Sequence, residues 1–447
     1  MNKTKLSQIE KILHGKLING DAEFQQINTD SRKIKAGELF VALQGPNFNA
    51  HDFIADVKAK GAVGAIVSQM INVDFPQLQV ADTLKALGQL ASWNCQQFNI
   101  PFIALTGSCG KTTVKETIHT ILAECGPTLA NQGTLNNDIG VPLTLLNLSS
   151  EHRYAVIEMG ANHPGEIAYL TEMVKPTIAF INNIAPAHLE GFGSIEGVAK
   201  AKFEIFNGLA KDGTAIVNVD DHYADWICER LKGRKVLSFG IQNPADISAH
   251  SLKADAAERY SFMLVTPAGE ITVNLGLLGK HNVLNALAAA AATYAIGIPL
   301  TAIKSGLEKV QAVPGRLVVR QGLAGARIFD DTYNANPFSV RAALEVLAKY
   351  DGERIAVLGD MGELGADAEQ MHTEIGRLAK ELGINHLYAC GKLSRATVQG
   401  FGEGAEHFED KIQLSQTVRA ILRPTMTVLV KGSRSAKMEQ IVAELIG

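Results

Sequence analysis

The sequence predicts an α/β protein of three domains, and two observations support this fold class. A chain of 447 residues with 46% apolar and 20% charged residues has the composition of globular proteins and the length of about three ordinary domains. From Pro101 onward, apolar strands that end in Gly or polar residues alternate with helical stretches. That alternation is typical of a mostly parallel sheet covered on both faces by helices.

The first domain is predicted over residues 1–82 as a small mixed α/β unit. Residues 38–43 and 64–69 have the continuous apolar character of buried strands, and the segment 54–62 between them is predicted to be a helix. Residues 1–15 lack the pattern of a signal peptide and carry apolar side chains at helical spacing.

The second domain is predicted over residues 83–313 and carries the central, mostly parallel sheet. Its strand candidates are 101–107, 154–160, 177–184 and 214–220. Residues 276–297 are interpreted as a loop that leads into a long helix. The nearly apolar stretch 286–298 is shorter than the roughly 20 residues of a membrane-spanning helix, so we expect a core helix and no membrane insertion.

The third domain is predicted over residues 314–447, because the alternation restarts after the sequence VPGR at 313–316. Its strand candidates are 326–333, 354–361, 386–391 and 426–433, and its helix candidates are 339–349, 369–382 and 435–446.

Charge and cysteine content exclude several classes of partner. With 42 Lys and Arg against 46 Asp and Glu, the net charge of -4 gives no basic field for nucleic acid. The five cysteines are scattered without metal-type spacing, which argues against a disulfide framework and for a reducing compartment. We therefore expect a cytoplasmic protein.

The sharpest motif is TGSCGKTT at 106–113, directly after the strand PFIAL and before a helical stretch. Glycines let backbone N–H groups face an anion, the lysine adds positive charge, and a Thr hydroxyl can ligate magnesium. The motif departs from the general P-loop spacing, because Leu105 stands where a Gly is expected; the alternative is a Gly-rich turn with a chance lysine. The predicted nucleotide-binding residues of this loop are Gly107, Ser108, Cys109, Gly110, Lys111, Thr112 and Thr113.

Two further residues are candidates for holding magnesium beside a bound nucleotide. Glu158 ends the strand YAVIE, where a carboxylate on a neighbouring parallel strand faces the loop, although a structural or capping role is the alternative. His188 follows the next strand, but a lone histidine is more often structural. Lys202, on spacing alone, is interpreted as a solvated helix lysine.

Taken together, these residues resemble the Mur ligase family, the ATP-dependent amide-bond-forming enzymes of peptidoglycan precursor synthesis. The loop resembles the family's TGTNGKT, and Glu158 and His188 match its magnesium-binding residues. The segment AKFEIF at 201–206 matches the family segment whose lysine carries a carbamate. GKHNVLNALAA at 279–289 matches the start of the family's helix near the adenine, and VPGR matches the segment that contains its linker arginine. The resemblance covers essentially the whole chain and implies a P-loop ATPase-like central domain and a Rossmann-like C-terminal domain.

Within the family, longer segments resemble the branch that joins D-alanyl-D-alanine to a UDP-N-acetylmuramoyl tripeptide through an acyl phosphate. These segments are 30–54, 136–146, 330–339, 358–365 and 431–439. The alternatives are a sister Mur ligase, a folylpolyglutamate-type ligase, or a P-loop ATPase without ligation chemistry.

The resemblance implies roles for individual residues around ATP and two magnesium ions. Lys111 and the loop amides are expected to hold the β and γ phosphates, with Thr112 and Glu158 on one ion. His188 and a carbamate expected on Lys202 are assigned to the second ion. The residues expected to contact the nucleotide from outside the loop are Asn282, Arg316 and Asp331.

Substrate contacts are implied more loosely. The first domain offers Ser31, Arg32, Asn47 and His51 to the UDP-sugar peptide, and the loop after the second strand region offers Asn136, Asn137 and Asp138. Asn334 and Asn336 either contact substrate or only shape their turn. Lys431, Ser433 and Arg434 are candidates for shaping the site from the third domain. We expect a monomer that closes around its substrates.

One residue departs from the family pattern. Cys109 stands where the family usually carries Asn or Ser. Beside Lys111 and a helix N-terminus, its thiol is predicted to have a low pKa and to react with alkylating agents unless ATP protects it.

Overall fold

A computed structural model describes all 447 residues, and three large sheets organise it. One five-stranded, one nine-stranded and one six-stranded sheet fall in the three ranges predicted to be domains. The α/β fold class is therefore confirmed. The boundaries at 82 and 313 stay a prediction, since Leu39 of the first range and Leu87, Ala104 and Ile157 of the second belong to one apolar cluster.

The first sheet is mixed and small. Its strands in spatial order are Lys16–Ile18, Gln77–Gln79, Gly64–Val67, Leu39–Val41 and Ile27–Asn28, of which the first is antiparallel. Two short ladders pair Thr4–Lys5 with Glu23–Phe24 and Gln44–Gly45 with Phe48–Asn49. Helices cover Leu6–Glu10 and Ile54–Ala59, with a 3₁₀ turn at Ala50–Phe53, so the strands and the helix predicted here are confirmed.

The central sheet is parallel over its first seven strands. In spatial order it runs Thr128–Ala130, Tyr154–Glu158, Phe102–Thr106, Ile178–Ile181, Thr214–Asn218, Lys235–Gly240, Ile247–Ala254, Arg259–Thr266 and Gly269–Leu278. The four strands predicted for this range are confirmed. The last two strands are antiparallel, and the interpretation of residues 276–278 as loop is wrong because they end the strand Gly269–Leu278.

The helices of this region pack on both faces of the sheet. They span Thr83–Cys95, Lys111–Ala123, Gly140–Leu145, Glu166–Val174, Leu189–Phe192, Ile195–Phe203, Ala224–Arg230, Lys280–Ala295 and Leu300–Lys309, with a 3₁₀ turn at Glu204–Phe206. The Ala-rich part of Lys280–Ala295 is fully buried, as predicted for a core helix. No helix in the protein combines the length and the apolar character needed to span a membrane.

The third sheet is parallel apart from one edge strand. In order its strands are Val318–Gln321, Arg327–Asp331, Met426–Lys431, Glu353–Gly359, His386–Cys390 and Ala405–Phe408, the first being antiparallel. Helices span Pro337–Leu347, Ala368–Glu381, Ser394–Phe401, Lys411–Ile421 and Glu439–Ile446, with 3₁₀ turns at Leu323–Gly325, Gly365–Asp367 and Arg434–Ala436. All four predicted strands and all three predicted helices are present, the last helix starting at Glu439 instead of 435.

The strand order explains where the site lies. Phe102–Thr106 is central, with Tyr154–Glu158 on one side and Ile178–Ile181 on the other. Because the carboxyl ends of parallel strands meet at one edge, the phosphate loop, Glu158 and the segment 182–188 leave the sheet together. Asp331 and Lys431 end neighbouring strands of the third sheet.

Candidate active site

A cavity of about 780 Å³ lies between the central and third domains, and residues of both line it. The sequence-predicted residues among them are Ser108, Cys109, Gly110, Lys111, Thr113, Asn136, Asn137, Glu158, His188, Asn282, Arg316, Asp331, Asn334, Asn336, Lys431, Ser433 and Arg434. The fold therefore brings into one cavity side chains that are up to about three hundred positions apart in the chain.

Backbone geometry holds the phosphate loop in an anion-binding shape. Gly110 has a positive φ of 76°, and a Cβ there would lie 2.8 Å from Asn182 Nδ2, so this position requires glycine. The N–H groups of Ser108 and Cys109 donate to Asn183 at 3.0 and 2.8 Å, so they already have partners. The N–H groups free to meet phosphate are those that open the helix Lys111–Ala123.

Lys111 and Thr112 both make contacts that a bound nucleotide would replace. Lys111 Nζ donates to Gly107 O at 2.8 Å, and burial lowers the pKa of this lysine. The Thr112 hydroxyl accepts a hydrogen bond from Arg316 Nη2 at 2.7 Å. The Arg316 guanidinium lies 4.2 Å from the centre of the Tyr333 ring, which holds it over the loop.

Glu158 fits the requirement for a magnesium ligand. Its side chain is buried, with Oε1 accepting a hydrogen bond of 2.7 Å from Asn136 Nδ2. Oε2 is buried with no hydrogen-bond partner. Burying a carboxylate oxygen without a hydrogen-bond partner costs free energy unless a cation binds it. In nucleotide sites, Mg²⁺ is bound by one or two carboxylates together with phosphate oxygens.

His188 is less isolated than its sequence context indicates. Both His188 and Glu363 have positive φ angles, 54° and 61°, and their side chains meet at the His188 Nδ1 atom. Burial lowers the pKa of this histidine. With Nδ1 facing a carboxylate from the third domain, Nε2 is the nitrogen left for a metal ion.

Lys202 is buried, so its interpretation as a solvated helix lysine is wrong. Only 2% of the residue is exposed, on the buried face of the helix Ile195–Phe203. Burial, reinforced by the nearby charge of Lys111, lowers the pKa of Lys202 to about 7. About half of these amines are then neutral at neutral pH, which is the form that reacts with an electrophile.

The expectation of an acidic thiol at Cys109 is wrong. Burial raises the pKa of Cys109 and outweighs the opposing effects of Asn336, Lys111 and Lys431. Its Sγ lies 3.1 Å from Asn336 Nδ2, which joins the phosphate loop to the third domain.

The predicted nucleotide contacts outside the loop, Asn282, Arg316 and Asp331, all line the cavity. Asn282 is buried, donating to Leu278 O at 2.7 Å and accepting from Asn285 at 2.8 Å. Asp331 pairs with Lys431 at 2.7 Å. His281 also lines the cavity and was missed, although it stands directly before Asn282 in the matched segment; burial lowers its pKa to about 4, so it is neutral.

Of the two asparagines predicted either to contact substrate or to shape their turn, Asn336 has the clearer structural role. Asn336 Oδ1 accepts from Ser339 N at 2.9 Å and caps the helix Pro337–Leu347. Asn334 contributes its backbone oxygen to Lys431 at 2.8 Å. Its side-chain Oδ1 accepts from Ala335 N at 2.9 Å within the turn, and the residue lines the cavity.

The predicted first-domain residues lie outside the cavity. Arg32 is largely exposed and forms two hydrogen bonds of 2.9 Å with Asp30. His51 is buried, with Nε2 accepting from Ser68 N at 2.9 Å and Nδ1 lying 2.7 Å from Asn49 Oδ1. Their substrate roles, with those of Ser31, Asn47 and Asp138, stay predictions.

Sequence reasoning missed the asparagines that brace the loop. Asn182 Nδ2 and Asn183 Nδ2 each donate to Cys109 O at 3.0 Å, and Asn182 also donates to Asn285. The available signal was the pair of polar residues at the end of the strand Ile178–Ile181, at the same sheet edge as the loop.

Comparison with known proteins agrees with this geometry. Three family models match: the Mur ligase family catalytic domain at 23–94, the Mur ligase middle domain at 105–293, and the Mur ligase glutamate ligase domain at 315–434. The chain is 48% identical over 445 residues to UDP-N-acetylmuramoyl-tripeptide--D-alanyl-D-alanine ligase of Escherichia coli K12, covering 98% of each chain. It is 33% identical to the enzyme of that name in Bacillus subtilis, covering 100% of this chain and 99% of the relative.

Solved structures extend the comparison to the fold. A crystal structure of MurF from Acinetobacter baumannii superposes with a TM-score of 0.95 at 40% identity, covering 100% of this chain and 99% of that one. MurF ligase from Thermotoga maritima in complex with ADP has a TM-score of 0.84 at 27% identity, covering 94% and 96%. The chain belongs to the Mur ligase family.

Proposed function

We propose that the protein is an ATP-dependent, ADP-forming ligase that joins D-alanyl-D-alanine to a UDP-N-acetylmuramoyl tripeptide. The product is the UDP-N-acetylmuramoyl pentapeptide used in peptidoglycan synthesis. The observation that carries this proposal is the single cavity that holds the phosphate loop, a carboxylate with a partnerless oxygen, and cationic side chains of the third domain. Relatives with the same activity in their names match along the whole chain.

The reaction requires activation of a carboxylate, which is a poor electrophile. The terminal carboxylate oxygen of the tripeptide attacks the γ-phosphorus of ATP, the bond to the β–γ bridging oxygen breaks, and ADP leaves. The dipeptide amine then attacks the carbonyl carbon of the acyl phosphate. The tetrahedral intermediate expels phosphate and the amine loses a proton, which leaves an amide bond.

Charge neutralisation and positioning are the main demands of phosphoryl transfer between two anions. Lys111 leaves the carbonyl of Gly107 to contact the β and γ phosphates, together with N–H groups at the start of its helix. Burial already lowers the pKa of Lys111, so a phosphate anion restores the stability of its charged form. The cavity between two domains limits hydrolysis of the acyl phosphate.

We assign magnesium ligands on the same basis. Glu158 Oε2 and the Thr112 hydroxyl are proposed to hold one ion, and His188 with modified Lys202 the second. No group of three or more His, Cys, Asp and Glu side chains is placed to bind a metal alone, and substrate phosphates complete such sites in other enzymes. When bound, Mg²⁺ supplies neutralisation of the phosphate charge and orients the triphosphate.

The proposed modification of Lys202 follows from its buried amine. The neutral nitrogen lone pair attacks the carbon of CO₂, the nitrogen loses one proton, and the product is a carbamate with two oxygens and a negative charge. A pKa of about 7 makes the reactive neutral form abundant at neutral pH. In ¹³C-bicarbonate buffer we expect a carbamate resonance in the protein that is absent from Lys202→Met; the same resonance in both proteins would contradict the assignment.

Substrate residues are proposed by their position. Asn136 and Asn137 line the cavity beside Glu158 and are assigned to the muramoyl peptide, with Asp138 next in sequence. The uridine and diphosphate are assigned to Ser31, Arg32, Asn47 and His51 of the first domain.

All five cysteines are free, which supports the reducing, cytoplasmic compartment expected from the sequence.

The deciding experiment is phosphate release from Mg-ATP with the UDP-tripeptide, measured with and without D-alanyl-D-alanine. We expect release that depends on the dipeptide, together with a product of the mass of the UDP-pentapeptide. Release that is independent of any amine acceptor indicates an ATPase without ligation. Coupling of a different amino acid in place of the dipeptide indicates a sister ligase.

A further inference from the structure

The main chain of Glu158 is held by the side chain of Asn131, a residue that the proposed chemistry does not use. Asn131 directly follows the strand Thr128–Ala130 and is 2% exposed. Its Oδ1 accepts from Glu158 N at 2.7 Å, and its Nδ2 donates to Glu158 O at 3.2 Å and Leu135 O at 2.6 Å. A carboxamide both accepts and donates, so this one side chain satisfies both backbone groups of Glu158.

A second unused residue, Lys115, lies behind Asn131. Lys115 is fully buried in the helix Lys111–Ala123, and its Nζ donates to Asn131 O at 2.6 Å. The same Nζ lies 2.6 Å from Glu116 Oε1. A buried ammonium is retained only where partners compensate it, so the contact ties Asn131 to the helix that opens at the phosphate loop.

The segment that begins at Asn131 returns to Glu158 a few residues later. Asn136 donates to Oε1 at 2.7 Å, and its backbone oxygen accepts from Gly160 N at 2.8 Å. The main chain and one carboxylate oxygen of Glu158 are thus fixed by this segment. Oε2 is the only oxygen of that carboxylate without a partner.

We propose that Asn131 is a positioning residue that sets the backbone of Glu158 so that Oε2 is available to a divalent cation, with Lys115 holding Asn131 in place. The inference rests on the proposed function, in which Glu158 ligates magnesium. Partners that orient a metal ligand typically change metal affinity or activity by 10- to 100-fold when they are removed.

The test uses Asn131→Ala in the full-length protein, with Asn94→Ala as the matched control. Asn94 is also buried and donates to two backbone oxygens, Leu145 O and Leu148 O, away from the cavity. Binding of Mn²⁺ in the presence of ADP is measured from the free Mn²⁺ signal in electron paramagnetic resonance. Thermal unfolding is recorded for the same three proteins.

We expect both variants to melt at lower temperature, because each leaves buried carbonyls without a donor. Only Asn131→Ala is expected to weaken Mn²⁺ binding, by about 10-fold. Equal Mn²⁺ affinity in all three proteins overturns the positioning role and leaves the proposed ligase function standing. No Mn²⁺ binding by the unmodified protein overturns both.

Lys115→Met keeps the inference testable where Asn131→Ala does not fold. It removes the ammonium but leaves the carboxamide that contacts Glu158. We expect weaker Mn²⁺ binding than in the unmodified protein, with a smaller loss than the about 10-fold of Asn131→Ala. Unchanged Mn²⁺ affinity in Lys115→Met contradicts the role assigned to Lys115. If Asn131→Ala also folds and binds Mn²⁺ with normal affinity, the whole proposal is overturned.

Discussion

Individual lysines in the cavity region are held in a state that favours an anionic ligand. Lys111 and Lys202 are both buried, and burial lowers the pKa of each. The charge of Lys111 lowers the pKa of Lys202 further, and Lys111 has only a backbone carbonyl as hydrogen-bond partner. A buried positive charge is stabilised when an anion binds next to it, as a phosphate would beside Lys111. Their placement thus favours nucleotide binding at some expense to the stability of the empty protein.

Replacement of Lys111 tests this arrangement directly. Lys111→Ala is expected to lower the rate of phosphate release by at least about 100-fold, since it removes the cation proposed to contact the transferred phosphoryl group. The melting temperature is expected to stay near that of the unmodified protein, because the lost ammonium is buried and has a lowered pKa.

The matched control for that variant is Lys309→Ala. Lys309 is 60% exposed and pairs with Glu124 outside the cavity, so its loss should leave phosphate release unchanged. An active Lys111→Ala would remove Lys111 from the phosphate site.

The pKa of Lys202 predicts a specific dependence of stability on pH. The folded-state pKa of about 7 lies below the ordinary value of 10.5, so between these pH values the unfolded chain binds a proton that the folded chain does not. The contribution of Lys202 to the free energy of unfolding therefore rises as pH increases from 7 toward 10.5, and it is lowest at or below pH 7. In CO₂-free buffer, Lys202→Met should melt at a higher temperature than the unmodified protein at pH 7.

The difference between the two melting temperatures should shrink as pH approaches 10. Equal melting temperatures of the two proteins at pH 7 would show that the Lys202 amine is charged in the folded protein and that surrounding groups compensate its charge. Repeating the measurement with bicarbonate should narrow the difference at pH 7, because carbamate formation on the folded protein stabilises the protein that has Lys202 and cannot occur at this position in Lys202→Met.

At the scale of elements, the sequence predicted those strands that are buried on both faces. Phe102–Thr106 and Met426–Lys431 are buried at every residue, and each is mostly apolar. The strands Ile247–Ala254 and Arg259–Thr266 mix buried positions with half-buried or exposed ones, so a search for apolar runs missed them.

The site was predictable to the extent that its residues sit at strand ends or in a local motif. The phosphate loop, Glu158 and His188 satisfy that condition. The burial of Lys202 and the bonds of Asn131 to Glu158 depend on packing between segments distant in sequence, which no local pattern encodes. His51 stays a predicted substrate contact, and its hydrogen bond with Ser68 N is a further contact that no local pattern encodes.

The helix Pro337–Leu347 allows the two interpretations of Asn336 to be separated. Its side chain caps the helix with a reciprocal bond to Ser339, so Asn336→Ala should lower the free energy of unfolding by about 1 kcal/mol, measured by urea denaturation. Asn336→Asp retains the acceptor and should preserve stability. Asn147→Ala serves as the control, because it removes an exposed hydrogen bond between residues that are close in sequence.

Steady-state kinetics of Asn336→Asp then decides whether the residue also contacts substrate. A raised KM for D-alanyl-D-alanine with unchanged stability indicates direct contact. Normal KM together with normal stability leaves capping as the role of Asn336.

At the scale of the whole molecule, the first two sheets share an extensive apolar cluster. The third domain's main cluster includes one buried residue of the central range, Leu278, and this domain meets the site through polar contacts. Arg316 contacts Thr112, Cys109 contacts Asn336, and His188 contacts Glu363. Such contacts exchange with ligands and water more readily than an apolar core does. The third domain is therefore the part of the molecule expected to move.

Domain closure is the last prediction, and the Thr112–Arg316 contact gives its cause. If the Thr112 hydroxyl ligates Mg²⁺, the divalent cation lies next to the Arg316 guanidinium and repels it. Nucleotide binding should therefore free this arginine to contact phosphate and draw the third domain inward. Small-angle scattering should show a smaller radius of gyration with a non-hydrolysable Mg-ATP analogue and the UDP-tripeptide together. Lys111→Ala should show no compaction under those conditions, because it lacks the cation proposed to anchor the γ-phosphate. An unchanged radius in the unmodified protein at saturating ligand would mean that the cavity already has its working dimensions, and that the arginine exchanges partners without movement of its domain.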